Sequence, residues 1–125
     1  MPGQMKIPDS RHSITITPVS ERVHVELDGR TIADSVAVLV LQEASYPPVY
    51  YIPLSDLDQT LIRRSPSTTY CPYKGDASYY SIVIPGGAKV ADAIWEYENP
   101  YPAVAEIAGR VAFYPDKVRI STVRD

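Results

Sequence analysis

The sequence predicts a mainly β domain, built as two packed antiparallel sheets or a partly open barrel with two short helices. Three observations carry this. Twelve prolines in 125 residues are too many for a helical bundle and suit a sheet protein with many corners and edge strands. Short segments alternate apolar and polar residues with the period of a strand. Asp28-Gly29 joins two such segments and supplies the positive φ of a tight hairpin turn. The chain is near the usual single-domain size and is long enough to bury one core without a disulfide or structural metal.

Residues 1–12 carry Pro, Gly, Gln and charges and read as a flexible tail, with residues 13–125 forming the one domain. Ile14-Thr15-Ile16-Thr17 is a strand closed by Pro18. Arg22 to Leu27 alternates again, Val23, Val25 and Leu27 on one face, and Arg30 to Asp34 returns as its hairpin partner. Val36 to Leu41 is a continuous apolar run, expected to be a strand covered on both faces. Tyr46-Pro47-Pro48 turns the chain into a strand at Val49-Tyr50-Tyr51-Ile52. Ser55 opens a helix with Asp58 at its third position and Leu57 and Leu61 on one face; Arg63 and Arg64 end it, favourably for its dipole.

A strand then leads to Cys71, breaks at Pro72 and turns through Lys74-Gly75-Asp76. Tyr79 to Ile84 returns, with Tyr80, Ile82 and Ile84 facing one way. After a turn at Pro85-Gly86-Gly87, Ala93 to Tyr97 is a strand holding the only tryptophan, Trp95. Pro102 at a first turn, Val104 and Ile107 on one stripe and Gly109 as terminator define a second helix. Val111 to Tyr114 and Lys117 to Ser121 complete about nine short strands.

Charge and composition exclude several classes. A formal charge of −3 argues against sequence-independent nucleic-acid binding, which needs a basic face. No run approaches the ~18 apolar residues of a membrane span, and the N-terminus has no apolar core of a secretory signal, so a cytoplasmic protein with neither nucleic acid nor membrane as partner is expected. One cysteine and two separated histidines cannot close a zinc site; no metal and no cofactor is expected.

All ten tyrosines lie between Tyr46 and Tyr114. Tyrosine buries a large ring yet keeps a hydroxyl that needs a partner, so the cluster marks a half-wet wall. Strand neighbours alternate, so Tyr50 opposes Tyr51 and Tyr79 opposes Tyr80; about half should be core and the rest line a groove suited to an anionic or planar small molecule. In that reading Tyr73, Lys74 and Gly75 hold the polar end of the ligand, Tyr46, Tyr51 and Trp95 its flat part, and Glu43 and Arg22 are further polar members, Arg22 pairing with Glu43 or Glu26. On an exposed hairpin, Lys74→Ala should stay within about 0.5 kcal/mol of neutral in stability while weakening an anionic ligand by about 1.5–3 kcal/mol. Two alternatives stand beside this. Cys71 is a candidate nucleophile, with Lys74 near enough to favour a thiolate. A tyrosine-rich surface also suits a protein-interaction module.

Four stretches carry a family resemblance: Tyr46-Pro47-Pro48-Val49-Tyr50-Tyr51-Ile52-Pro53, Cys71-Pro72-Tyr73-Lys74-Gly75-x-Ala77-x-Tyr79-Tyr80, Trp95-x-Tyr97, and Ile107-x-Gly109-x-Val111-Ala112-Phe113-Tyr114. Over roughly residues 14–118 the sequence resembles a bacterial and fungal domain family of unknown function. The resemblance implies a fold similar to the zinc-binding Mss4-like β-tent domains, and the family sometimes carries a nucleotidyltransferase-type label. Tyr80 stands where many members have Trp. The tent relatives hold zinc with paired cysteines, which this chain lacks, and the acidic ligands and Gly-Ser loop that the nucleotidyltransferase label implies are absent too.

Overall fold

Asp28 and Gly29 both take positive φ, 51° and 73°, and turn the chain tightly between β2 (Arg22–Leu27) and β3 (Arg30–Ser35). This is the hairpin that the Asp-Gly pair predicts. The structure is a computed structural model and describes residues 5–124; residues 1–4 of the expected tail and Asp125 lie outside it. The remaining strands are β1 (Ile14–Pro18), β4 (Leu39–Glu43), β5 (Val49–Pro53), β6 (Ile62–Cys71), β7 (Gly75–Val83), β8 (Lys89–Glu96), β9 (Arg110–Phe113) and β10 (Arg119–Val123). They form two antiparallel sheets, neither closed into a barrel. One has seven strands in the order β1-β4-β5-β9-β8-β7-β6, the other three in the order β10-β2-β3. No helix among the described residues is long and apolar enough to cross a membrane.

The alternation of the strands divides the interior in two. Val23 and Val25 of β2, Ile32 of β3, Ile52 of β5, Ile82 of β7 and Ile94 of β8 are fully buried in a first core shared by both sheets. Each such side chain contributes about 1.5–3 kcal/mol by leaving water. Tyr50 and Tyr80 pack against this layer. Their neighbours Tyr51 and Tyr79 point to the other face of the large sheet, into a second core with Leu41, Tyr97, Val104 and Ile107. The opposed tyrosine pairs therefore fall as the two-residue period demands.

Neither predicted α-helix forms. Three 3₁₀ turns stand in their place, at Leu54–Asp56, Gln59–Leu61 and Pro102–Ile107. Asp58 is not the third residue of a helix but a cap: its carboxylate accepts the Thr60 N–H at 3.0 Å and the Thr60 hydroxyl at 2.6 Å, while its own N–H donates to the Ile32 carbonyl. Such local bonds compete with the helical ladder and hold a short turn. The later segment is kinked at Val104, whose φ and ψ are −126° and 26°, because Val104 and Ile107 are both drawn into the second core.

Strand boundaries also differ: β8 starts at Lys89 rather than Ala93, and β10 spans Arg119–Val123 rather than Lys117 to Ser121. Val36 is 59% exposed rather than part of a covered strand, because Ser35 turns the chain there: its hydroxyl donates to Asp56 and accepts the Ala37 N–H. Arg63 and Arg64 lie in β6, not at a helix end. That strand is an edge of the sheet, and its pairing with β7 shifts register between Arg64 and Thr68. Pro66 falls in the irregularity, where its missing N–H takes nothing from the ladder.

The turn that matters most is Pro72-Tyr73-Lys74. Cys71 pairs with Gly75 across the hairpin, and the Lys74 N–H donates to the Cys71 carbonyl at 3.2 Å. Pro72 thus occupies the corner that its fixed φ favours, one to two residues earlier than the sequence suggests. Gly75 follows at φ +109°, a conformation open to glycine at little cost. A Cβ there would also stand 3.4 Å from the Asn99 carbonyl oxygen. Gly75→Ala is expected to lower stability by about 2 kcal/mol, read as a shift of the urea midpoint with an unchanged slope; a midpoint equal to wild type would contradict this role.

Candidate functional site

Lys74 is the last residue of the turn, just before β7, and its side chain enters the protein. It is 8% exposed. The picture of a solvated hairpin lysine does not hold, and neither does the expectation that Lys74→Ala leaves stability untouched. The Lys74 ammonium pairs with Glu43 Oε1, donates to Cys71 Sγ at 3.6 Å and lies 5.9 Å from the centre of the Tyr97 ring.

Glu43 arrives from β4, whose last residue it is. Ala44 then takes φ +47°, donates its N–H to the Ser13 carbonyl and lets Tyr46 bond back to the Glu43 carbonyl, so the chain folds over its own strand end. The second oxygen of Glu43 faces His12, whose Nε2 is 2.6 Å away. Burial alone would raise the Glu43 pKa, but the hydrogen bonds and charges of Lys74 and His12 outweigh it and hold the carboxyl below its ordinary value. An ionised carboxylate only accepts, so His12 Nε2 carries the proton of this bond.

His12 is the residue that sequence reasoning missed. It belongs to the segment read as a loose tail, yet the Lys6 N–H donates to the Pro72 carbonyl at 2.7 Å and the His12 ring stacks on Tyr73, with centroids 4.0 Å apart and planes within 5°. No local pattern announces a contact between residues this far apart; the one available signal was an aromatic turn with a histidine elsewhere to cover it.

Glu43 and Lys74 form the polar end of a cavity of about 250 Å³. Tyr46, Tyr51, Tyr79, Trp95, Tyr97 and Tyr114 supply aromatic wall. The Trp95 indole donates to the Tyr51 hydroxyl at 3.3 Å and packs on Tyr114 with centroids 4.6 Å apart. Burial pushes the Tyr51 and Tyr97 hydroxyls well above the ordinary tyrosine range. It also carries Tyr114 up to about 12, aided by its hydrogen bond with Tyr79. These three hydroxyls therefore stay uncharged at neutral pH.

Of the residues singled out in the sequence, Glu43, Tyr46, Tyr51, Lys74 and Trp95 meet around this one cavity. Tyr73 stands behind it, supporting His12. Gly75 lines a separate hollow with Arg64, Asp76 and Glu98. Arg22 lies on the three-stranded sheet, away from this cavity, and donates to Asp34 at 2.9 Å. Cys71 is half-buried at the end of β6, against the second core. The sole cysteine has its sulfur against the Lys74 ammonium, and among the described residues no three His, Cys, Asp or Glu side chains converge as a ligand set.

Compared with known families, the chain matches over residues 15–124 a family described as a domain of unknown function, DUF427. The resemblance to a domain family of unknown function is thereby borne out. No curated protein matches.

Proposed function

The chain belongs to the DUF427 family, whose description assigns no chemistry, and from the site itself we propose that the protein binds an uncharged, planar small molecule. One observation carries this reading: the polar end of the aromatic cavity is an internally neutralised ion pair. Lys74 spends one N–H on Glu43 and another on Cys71, and Glu43 is already held by two donors. An anionic ligand would have to compete with Glu43 for the lysine. A neutral group with an adjacent donor and acceptor, such as a carboxamide, instead bonds the remaining lysine N–H and a free lone pair of the carboxylate at once. Its ring then lies among uncharged tyrosines and Trp95, the usual composition of a small-molecule site.

Benzamide and benzoate separate the two cases, being of one shape and different charge. Benzamide is expected to raise the melting temperature and to change the fluorescence of Trp95, benzoate much less. Equal responses to both, or a response that persists when Glu43 and Lys74 are replaced by Gln and Met, would sink the proposal.

A second reading, an enzyme with Cys71 as nucleophile, draws on the Lys74–Cys71 contact. Half-buried and packed against the second core, Cys71 is expected to react with iodoacetamide well below the rate of free glutathione at pH 7. Labelling as fast as the free thiol would move the nucleophile reading ahead.

A further inference from the structure

Beside the first cavity lies a second, of about 440 Å³. Tyr50 and Ile52 of β5 and Phe113 of β9 form one wall, Ile120 of the small sheet faces them, and Pro48 and Pro115 close the rim. None of its lining residues carries a charge. It is a cleft between the sheets, on the face of β5 opposite to Tyr51.

The two cavities share wall residues: Tyr46, Pro47, Val49 and Trp95 line both. The topology explains how. β5 and β9 are paired only at Ile52–Val111 and Pro53–Arg110; toward Val49 and Tyr114 they run on unpaired. Trp95 sits on β8 opposite Ala112 of β9, whose methyl group leaves room for the indole to cross β9 and reach the Tyr51 hydroxyl on β5. The indole thus stands where the sheet parts, between an aromatic cavity with a polar end and a cleft with no polar end.

We propose that the two cavities are one bipartite site for an uncharged amphipathic small molecule, its hydrogen-bonding head at Glu43–Lys74 and its hydrocarbon body between the sheets past Trp95. This rests on the head-group reading above and adds the class of ligand. The chemistry selects it: a charged substituent would lose its hydration in the cleft without a partner, whereas a branched or ring hydrocarbon gains by leaving water. A volume of this size takes one ring system or a short chain.

The test compares benzamide with 4-hexyloxybenzamide, the same head with an apolar body, by titrating the fluorescence of Trp95, the only tryptophan. The alkylated amide is expected to bind at least tenfold more tightly to the wild type. Ile120→Arg, which puts a cation into the far wall of the cleft, is expected to remove that gain and leave benzamide binding as it was. Tyr50→Arg places the charge on the opposite wall and gives the same reading if Ile120→Arg does not fold. Equal affinity of the two amides for wild type, or a gain that survives in the folded arginine variant, overturns the bipartite site and leaves the head site standing. Binding of neither amide overturns both.

Discussion

Glu43→Gln lowers stability by about 3 kcal/mol, the expected cost of leaving one partner of a buried ion pair uncompensated, and moves the melting temperature down by roughly 10 °C. The low end of the range applies, because the Lys74 and Glu43 side chains keep 10% and 15% of their exposure. Lys74→Met costs less, about 2 kcal/mol, since Glu43 retains its bond to His12. The double variant returns to within about 1 kcal/mol of the wild type, because an uncharged pair of similar volume replaces the ions without stranding either charge, and a double-mutant cycle reads the coupling. Acid gives an independent check. The folded Glu43 pKa lies below 4.5, so its contribution is complete above that pH and disappears as the pH falls through the folded value. The double variant should lose less stability than the wild type over that acid window. Additive single-variant losses would show that the pair is not coupled.

The second large effect concerns Trp95. Trp95→Ala is expected to cost about 3 kcal/mol, the low end for a truncated buried tryptophan, because the indole is only half-buried but is hydrogen-bonded to Tyr51 and packed on Tyr114. It also joins the two cavities into one open space and removes the response to benzamide. Trp95→Phe keeps a ring against Tyr114 but loses the N–H to Tyr51 and part of the ring area, and should cost less than Trp95→Ala, about 1–2 kcal/mol. Urea unfolding followed by far-ultraviolet circular dichroism measures both, since the native fluorescence signal is lost. A Trp95→Ala variant as stable as wild type would mean that the indole is not part of the wall.

Local chemistry alone determined much of this protein. The Asp28-Gly29 hairpin, the alternation of Val23 and Val25, the opposed pairs Tyr50/Tyr51 and Tyr79/Tyr80, and the strands broken at Pro53 and Pro72 all follow from φ preferences and a period of two, which act between neighbours and need no other part of the chain. The importance of the turn at Cys71–Gly75 was legible for the same reason, as were Glu43, Tyr46, Tyr51 and Trp95 as residues to watch. Tertiary structure decided the rest. Leu57, Leu61, Val104 and Ile107 have helical spacing, but the first pair is drawn into the core between the sheets and the second pair into the other face, and those two demands leave only 3₁₀ turns. Lys74 became an interior cation because the turn closes one to two residues earlier than its glycine suggests, and because a carboxylate 31 positions away waits at the end of β4. Arg22 missed the site because its strand belongs to the other sheet. His12 joined it through a stacking contact with Tyr73 and a bond to Glu43, both set by how the N-terminal segment crosses the hairpin, a long-range event that no period or turn signal records.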